Sequence, residues 1–220
     1  MAIKPELPEL VMGDFLKDLA EYFGEDPSMV ESWWAWSNFV RRYPHFRPKI
    51  EKYLEEATTG DPAHVMYHMV LDCDFSREWA EMEIPKVKIG DPAGAIFRMV
   101  HICGSPRKWA EQEIPKVNVG NPAYAMYLMV YHCGSSREWA EREIPKVKVG
   151  NPAHAMYRIV LHCGSPREWA EREIPKVRVR NIVKIIDWMV YECGSSKEWA
   201  KRAIEEIKKW RELGLNYLKS

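Results

Sequence analysis

From residue 60 onward the hydrophobic and polar positions of the chain recur with a period of thirty residues. GDPAHVMYHMVLDCDFSREWAEMEIPKVKI begins at Gly60 and GDPAGAIFRMVHICGSPRKWAEQEIPKVNV at Gly90. GNPAYAMYLMVYHCGSSREWAEREIPKVKV follows from Gly120, and GNPAHAMYRIVLHCGSPREWAEREIPKVRV from Gly150; these two copies agree at 24 of 30 positions. A fifth copy from Arg180 keeps the central frame and loses its edges. Self-similarity at a fixed period of this length marks a repeat architecture, in which each copy is one supersecondary unit.

Each copy carries two helix-start signals. Asn151 before Pro152 is an N-cap with proline at the first helical position, where a missing N–H costs nothing. Ser165-Pro166-Arg167-Glu168 has the form of a capping box, and Gly164 before it suits a helix C-terminus. These signals predict a first helix over 152–163 and a second over 166–177, with Pro175 kinking or ending the latter. At 100° per residue, Ala153, Met156, Val160 and Cys163 share one stripe of the first helix, with Tyr157 and Ile159 flanking it. Trp169, Ala170, Ile174 and Val177 form the inward stripe of the second. One hairpin cannot bury both stripes, whereas stacked neighbours can. The predicted fold is therefore all-α: a right-handed α-α superhelix of five thirty-residue hairpins (60–89, 90–119, 120–149, 150–179 and 180–209).

Both ends read as caps. Residues 1–59 are non-repetitive and predict helices near 8–23, 28–42 and 48–58, with Trp33, Trp34, Trp36 and Phe39 closing the first hairpin. DPSMVESWWAWSNFV has the loose outline of a further hairpin. At the other end Glu205 stands where the other copies have proline, so AIEEIKKWRELGL continues as one helix into a C-terminal extension, 210–220.

Composition narrows the functional classes. The chain has 220 residues, and 32 Lys plus Arg balance 32 Asp plus Glu. That balance disfavours a general phosphate binder, which needs a basic surplus to displace counterions. No stretch of 18 apolar residues and no signal-peptide pattern is present, so no membrane role is expected and a cytoplasmic (or recombinant) setting is. Cys73, Cys103, Cys133, Cys163 and Cys193 recur at the repeat period. Equivalent positions of stacked hairpins lie about 8–10 Å apart, too far for a disulfide, so these cysteines read as buried thiols of the core stripe.

The copies differ mainly at their fifth, ninth, twelfth and thirteenth residues. The first has His64, His68, Leu71 and Asp72; the second Gly94, Arg98, His101 and Ile102. The third has Tyr124, Leu128, Tyr131 and His132; the fourth His154, Arg158, Leu161 and His162; the fifth Lys184, Trp188, Tyr191 and Glu192. Helical geometry puts these sites on one arc opposite the core stripe. Neutral drift on a solvated face would leave it charged, as the second helix is at Arg167, Glu168, Glu171, Arg172, Glu173 and Lys176. Here only five of twenty residues are charged, eight are Leu, Ile, Tyr or Trp, and six of the seven histidines are present. Tyr, Trp and Arg are the types enriched in interface hot spots, and so extended an apolar stripe exceeds what monomers usually leave bare.

Stacked two-helix units of this size resemble the α-solenoid class that includes tetratricopeptide and HEAT-like repeats. The resemblance implies that the first helices line a concave, ligand-bearing groove. It is architectural: the unit is thirty residues instead of 34, and Tyr157 and Trp169 are bulky where the tetratricopeptide pattern is compact. A fixed frame with variation confined to one face is also similar to engineered repeat binders built from consensus modules, and recent natural duplication gives the same pattern.

Other chemistry finds less support. His64, His68 and Asp72 share a helix face, yet one helix supplies few converging ligands, so neither a metal nor any other cofactor is expected. No nucleophile elbow, phosphate loop or zinc-protease motif is present, so no enzymatic activity is expected. Base-by-base reading of single-stranded nucleic acid through Tyr124, Tyr131, His154 and Arg158 is the rival reading. Three positive charges against two negative make the face a poor follower of a phosphate backbone. The sequence thus points to a non-enzymatic module that takes a peptide or protein partner on this face, with Tyr124, Tyr131, Trp188 and Tyr191 as apolar anchors and Arg98 and Arg158 pairing acidic groups. A homodimer through the same face, or a scaffold without a natural ligand, is the alternative.

Overall fold

The computed structural model describes residue 38, residues 40–41, 47–57 and 60–212, and all regular structure among them is helical. One helix, α1 (Arg47–Glu56), precedes a series of pairs: α2 (Pro62–Cys73) with α3 (Arg77–Glu83), then α4 (Pro92–His101) with α5 (Arg107–Glu113). They are followed by α6 (Pro122–Cys133) with α7 (Arg137–Glu143), α8 (Pro152–Cys163) with α9 (Arg167–Glu173), and α10 (Ile182–Tyr191) with α11 (Lys197–Glu212). The expected helix at 48–58 is α1, and backbone at 38, 40 and 41 is helical as expected for 28–42. The helix expected at 8–23 and the cluster Trp33, Trp34, Trp36 and Phe39 lie outside the described residues. No helix among the described residues is long and apolar enough to cross a membrane.

The punctuation explains these limits. Asp61, Asp91, Asn121 and Asn151 cap α2, α4, α6 and α8, each side chain accepting from the N–H three residues on. Gly134 and Gly164 close α6 and α8 in the left-handed region, while Asp74 (φ 54°) fills that role after α2. The second helix stops sooner than expected, at Glu173 rather than 177, and a 3₁₀ turn over Ile174–Lys176 holds the proline. Proline cannot donate the next helical bond, so the chain tightens and leaves. Where Glu205 replaces it, α11 runs unbroken to Glu212.

Three expectations are corrected. The first-helix core stripe is centred on Ala155, Met156 and Ile159, with Ala153 and Tyr157 also buried, and Val160 and Cys163 are only half-buried. Of the five free cysteines only Cys73 is buried; Cys103, Cys133, Cys163 and Cys193 sit at the core's edge, where partial burial still pushes their thiols up. Ser165 is not the N-cap of α9. Its side chain is buried without a partner, Pro166 holds the cap position, and the proline carbonyl accepts from Trp169 N–H at 3.1 Å. A true serine cap appears where the next residue is serine, as Ser136 accepts from Trp139 N–H at 3.1 Å.

Neighbouring pairs are locked by bonds that repeat with the sequence. The arginine opening each second helix reaches forward to the glycine carbonyl ending the next first helix: Arg77 to Gly104, Arg107 to Gly134, Arg137 to Gly164 and Arg167 to Gly194, at 2.6–3.2 Å. Tryptophan indoles reach back, with Trp109, Trp139 and Trp199 donating to the carbonyls of Glu81, Glu111 and Glu171. Arg47, thirty residues before Arg77, makes the same forward clasp to the carbonyls of Cys73 and Asp74. A third tie joins the caps: Asp91 and Asn121 each also accept from the cap N–H thirty residues on, Asn121 and Asn151 respectively.

That cap ladder confines the glycine at the head of the second, third and fourth units. Gly120 has φ +66°, and a Cβ there would lie 2.6 Å from Asp91 Oδ1 and 3.0 Å from backbone atoms. Gly104 has φ +73° with open space around it. Gly104→Ala should therefore cost only the left-handed strain, about 1 kcal/mol. Gly120→Ala should cost more, about 2–4 kcal/mol, because it also displaces the cap and opens the boundary. Urea unfolding followed by tryptophan fluorescence measures both; equal losses would show that the ladder contributes nothing.

Candidate recognition face

The variable residues do not form one evenly exposed arc. The fifth and ninth positions are half-buried at His64, His68, Arg98, Tyr124, Leu128, His154, Arg158 and Trp188, with Lys184 exposed. The twelfth and thirteenth positions are exposed at Leu71, His101, Ile102, Tyr131, His132, His162, Tyr191 and Glu192, and half-buried at Asp72 and Leu161. Six large apolar side chains stand exposed among the described residues, and four of them fall in these outer rows: Leu71 (43%), Ile102 (51%), Tyr131 (53%) and Tyr191 (82%).

The reason for the split is a ring that sequence comparison passed over. The eighth residue of the unit, Tyr67, Phe97, Tyr127 or Tyr157 in the first four copies and Asp187 in the fifth, reads as core flank, yet in those four it forms the floor of the face. It lies one turn from the fifth and twelfth residues, where helical neighbours meet. Tyr127 contacts Tyr124 and Tyr131 of its own helix with ring centres 5.5 and 5.7 Å apart, and Phe97 stacks on His101 at 5.4 Å. A fixed aromatic three and four residues from two variable sites was the available signal.

Side chains of the following unit close over each floor ring. Residue nine sits by the preceding fifth and eighth residues: Arg98 on His64 (2.6 Å, Nη1 to Nδ1) and Tyr67, and Trp188 on His154 and Tyr157. Residue thirteen sits by the preceding eighth and twelfth: His132 by Phe97 and His101, and His162 by Tyr127 and Tyr131. Glu192 accepts from the Tyr157 hydroxyl at the next boundary. The face is thus a row of cells, each made by two units. His64, Tyr67 and Leu71 with Arg98 and Ile102 form the first; Phe97 and His101 with Leu128 and His132 form the second. Tyr124, Tyr127 and Tyr131 with Arg158 and His162 form the third; His154, Tyr157 and Leu161 with Trp188 and Glu192 form the fourth. Lys184 lies over the Trp188 ring at 4.9 Å, and Tyr191 projects beyond the last cell.

Electrostatics follow from this packing. Burial raises the Tyr67 and Tyr127 phenols, and burial with the Glu192 bond pushes Tyr157 up to about 12, so all three remain hydrogen-bond donors. Burial, then the adjacent Arg98 and Arg158, push His64 and His154 down. An arginine only donates, so His64 Nδ1 accepts from Arg98, and His154 Nε2 and His162 Nε2 accept from Arg158 at 3.3 and 3.1 Å. His68 Nδ1 pairs with Asp72 at 3.0 Å, and Asp72 also faces Arg41. Among the described residues no group of three metal-binding side chains gathers.

Comparison with protein-family models, curated proteins and solved structures yields no match. The reading of this face therefore rests on its own geometry.

The depressed histidines link stability to pH. His64 and His154 fold as neutral groups, so between their folded values and the ordinary value near 6.5 the unfolded chain binds more protons and stability falls with falling pH. The stabilisation is full above about 6.5 and is lost below it. Unfolding at pH 7.5 and 5 should show a drop that the pair His64→Gln and His154→Gln, which keep an acceptor for the arginines, reduces. A drop of the same size in the double variant would contradict the assignment.

Proposed function

We propose that this chain is a non-enzymatic recognition module that holds an extended peptide or a protein segment along its row of cells. The reading takes the helix pairs as a five-unit right-handed solenoid of the tetratricopeptide-like kind, with the first helices on its inner side. Two features of packing support it. Neighbouring first helices lie directly against one another, whereas neighbouring second helices meet through their long tryptophan side chains and touch the next first helix through their 3₁₀ turns; a stack that is tighter on one side curves toward it. The single observation that carries the proposal is the clustering of exposed large apolar residues in the outer rows, over floor rings that are already packed.

The division of rows assigns roles. Tyr131, Tyr191, Ile102 and Leu71 offer apolar area for contact at the surface. Tyr124 and Trp188, expected as anchors, are half-buried against His154, so they hold the cells in shape and lend the partner only an edge. A face ordered before binding loses little side-chain freedom on contact, which favours affinity. Nucleic acid fits less well, because Arg98, Arg158 and Lys184 are the three cations among the twenty variable residues and Asp72 and Glu192 oppose them, which leaves little net charge for phosphates.

Capture of binding proteins from a peptide display library on the immobilised chain tests the proposal. Tyr131→Ala with Tyr191→Ala should lower recovery of selected peptides at least tenfold, the loss expected from truncating two exposed anchors at about 1 kcal/mol or more each, with an unchanged thermal melt. Equal recovery by parent and double variant would remove the groove reading. Light scattering must show a monomer at the same concentration; a dimer dissociated by the same two substitutions would assign the face to self-association instead.

A further inference from the structure

The third and fourth cells share a tyrosine floor, and the residues at their thirteenth position differ in a way that names a ligand. In the fourth, the Tyr157 hydroxyl donates to the carboxylate of Glu192, the thirteenth residue of the next unit. In the third, Tyr127 stands in the place of Tyr157, equally buried at 5% exposure against 4%, and its thirteenth-position neighbour is His162. No described group accepts from the Tyr127 hydroxyl, while Tyr124, Tyr131 and His162 surround its ring. Arg158 donates to His162, whose ring packs on that of Tyr127, and its guanidinium lies over the Tyr157 ring at 5.9 Å, so one cation stands beside both cells.

The fourth cell thus carries a carboxylate of its own, and the third has the donor and the cation without it. We propose that the third cell is an acidic-residue subsite, in which a glutamate or aspartate of the partner accepts from the Tyr127 hydroxyl beside Arg158, as Glu192 accepts from Tyr157. This rests on the recognition reading above and makes the partner an acidic peptide at this point of the groove. The Tyr127 hydroxyl has no acceptor among the described residues and reaches solvent, so a partner carboxylate can take the place of water there, and hydrogen bonds to ionised groups are roughly twice as strong as neutral ones. A carboxylate suits the cell better than a phosphate, whose second charge would face one arginine already shared with two histidines.

The repeat supplies its own controls. His162→Glu should seat an internal carboxylate on Tyr127 and block the subsite, and Glu192→Ala, which leaves no acceptor, should free Tyr157 to act as a second one. The probe is a rhodamine-labelled hexaglutamate peptide, with labelled hexaglutamine as the uncharged reference, followed by fluorescence anisotropy on the full chain. Hexaglutamate should bind at least tenfold more tightly than hexaglutamine. Tyr127→Phe, which keeps the ring and the packing, should weaken it about tenfold, His162→Glu should weaken it as much, and Glu192→Ala should strengthen it. Unchanged affinity in Tyr127→Phe and His162→Glu would overturn the subsite, as would equal binding of the two peptides. Displacement of hexaglutamate by inorganic phosphate at equal concentration would overturn the choice of carboxylate. Failure here with Tyr131-dependent capture of other peptides intact would sink this subsite alone; loss of both would sink the recognition reading with it.

Discussion

The clasp between an arginine and the glycine carbonyl of the next unit fixes much else in this molecule. A helix end exposes carbonyls that have lost their intrahelical partners, and here each such end is answered by a guanidinium thirty residues out of phase, as Arg137 answers Gly164. The bond needs a left-handed residue to turn the carbonyl outward, hence glycine, and it needs the next helix to start at once, hence the tight serine turn. An indole runs the other way across the same boundary, Trp139 to Glu111. Two directional bonds of opposite sense leave a neighbouring unit little freedom to slide, so hydrophobic burial of Met126, Met156 and Ile159 occurs in one register instead of several.

Register is what lets two units make one cell. The thirteenth residue of one copy meets the eighth and twelfth of the copy before it only if the spacing holds at each step, and the contacts of His132, His162 and Glu192 show the same placement with three different partners. Chemistry can then vary at a boundary without disturbing the frame. The same fixity explains the half-buried arginines: Arg98 and Arg158 use histidine nitrogens as acceptors, which holds each guanidinium over or beside an aromatic ring without a carboxylate to neutralise it. Their charge stays available at the surface.

Much of this was legible in the sequence because it is written five times. Helix starts at Asn-Pro and stops at Cys-Gly follow from local chemistry that needs no tertiary context, and α8 spans the expected residues. The second helix was overestimated because Pro175 permits a 3₁₀ turn that ideal helical periodicity does not distinguish from a helix. Ser165 misled because a capping box is a pattern of side chains, whereas its proline decides which backbone group is left to be served. The core stripe was rotated by including Val160 and Cys163. Apolar character marks them as core, but their exposure depends on how closely the neighbouring first helix approaches, and no single copy encodes that distance.

The face divides along the same line. The outline of the face comes from variation between copies, which passes over the ring at position eight because it is aromatic in four of the five copies, Asp187 being the exception. Yet constancy there serves the variable sites: Tyr127 must be buried to be a floor and must keep its hydroxyl to be more than one. Phe97 shows the alternative, a floor ring without a hydroxyl, stacked on His101 in a cell whose fifth residue is Gly94. Three of the four floor rings carry a hydroxyl, which packing alone does not call for. In the fourth cell Glu192 accepts from it; in the third the proposed subsite gives that place to a carboxylate of the partner.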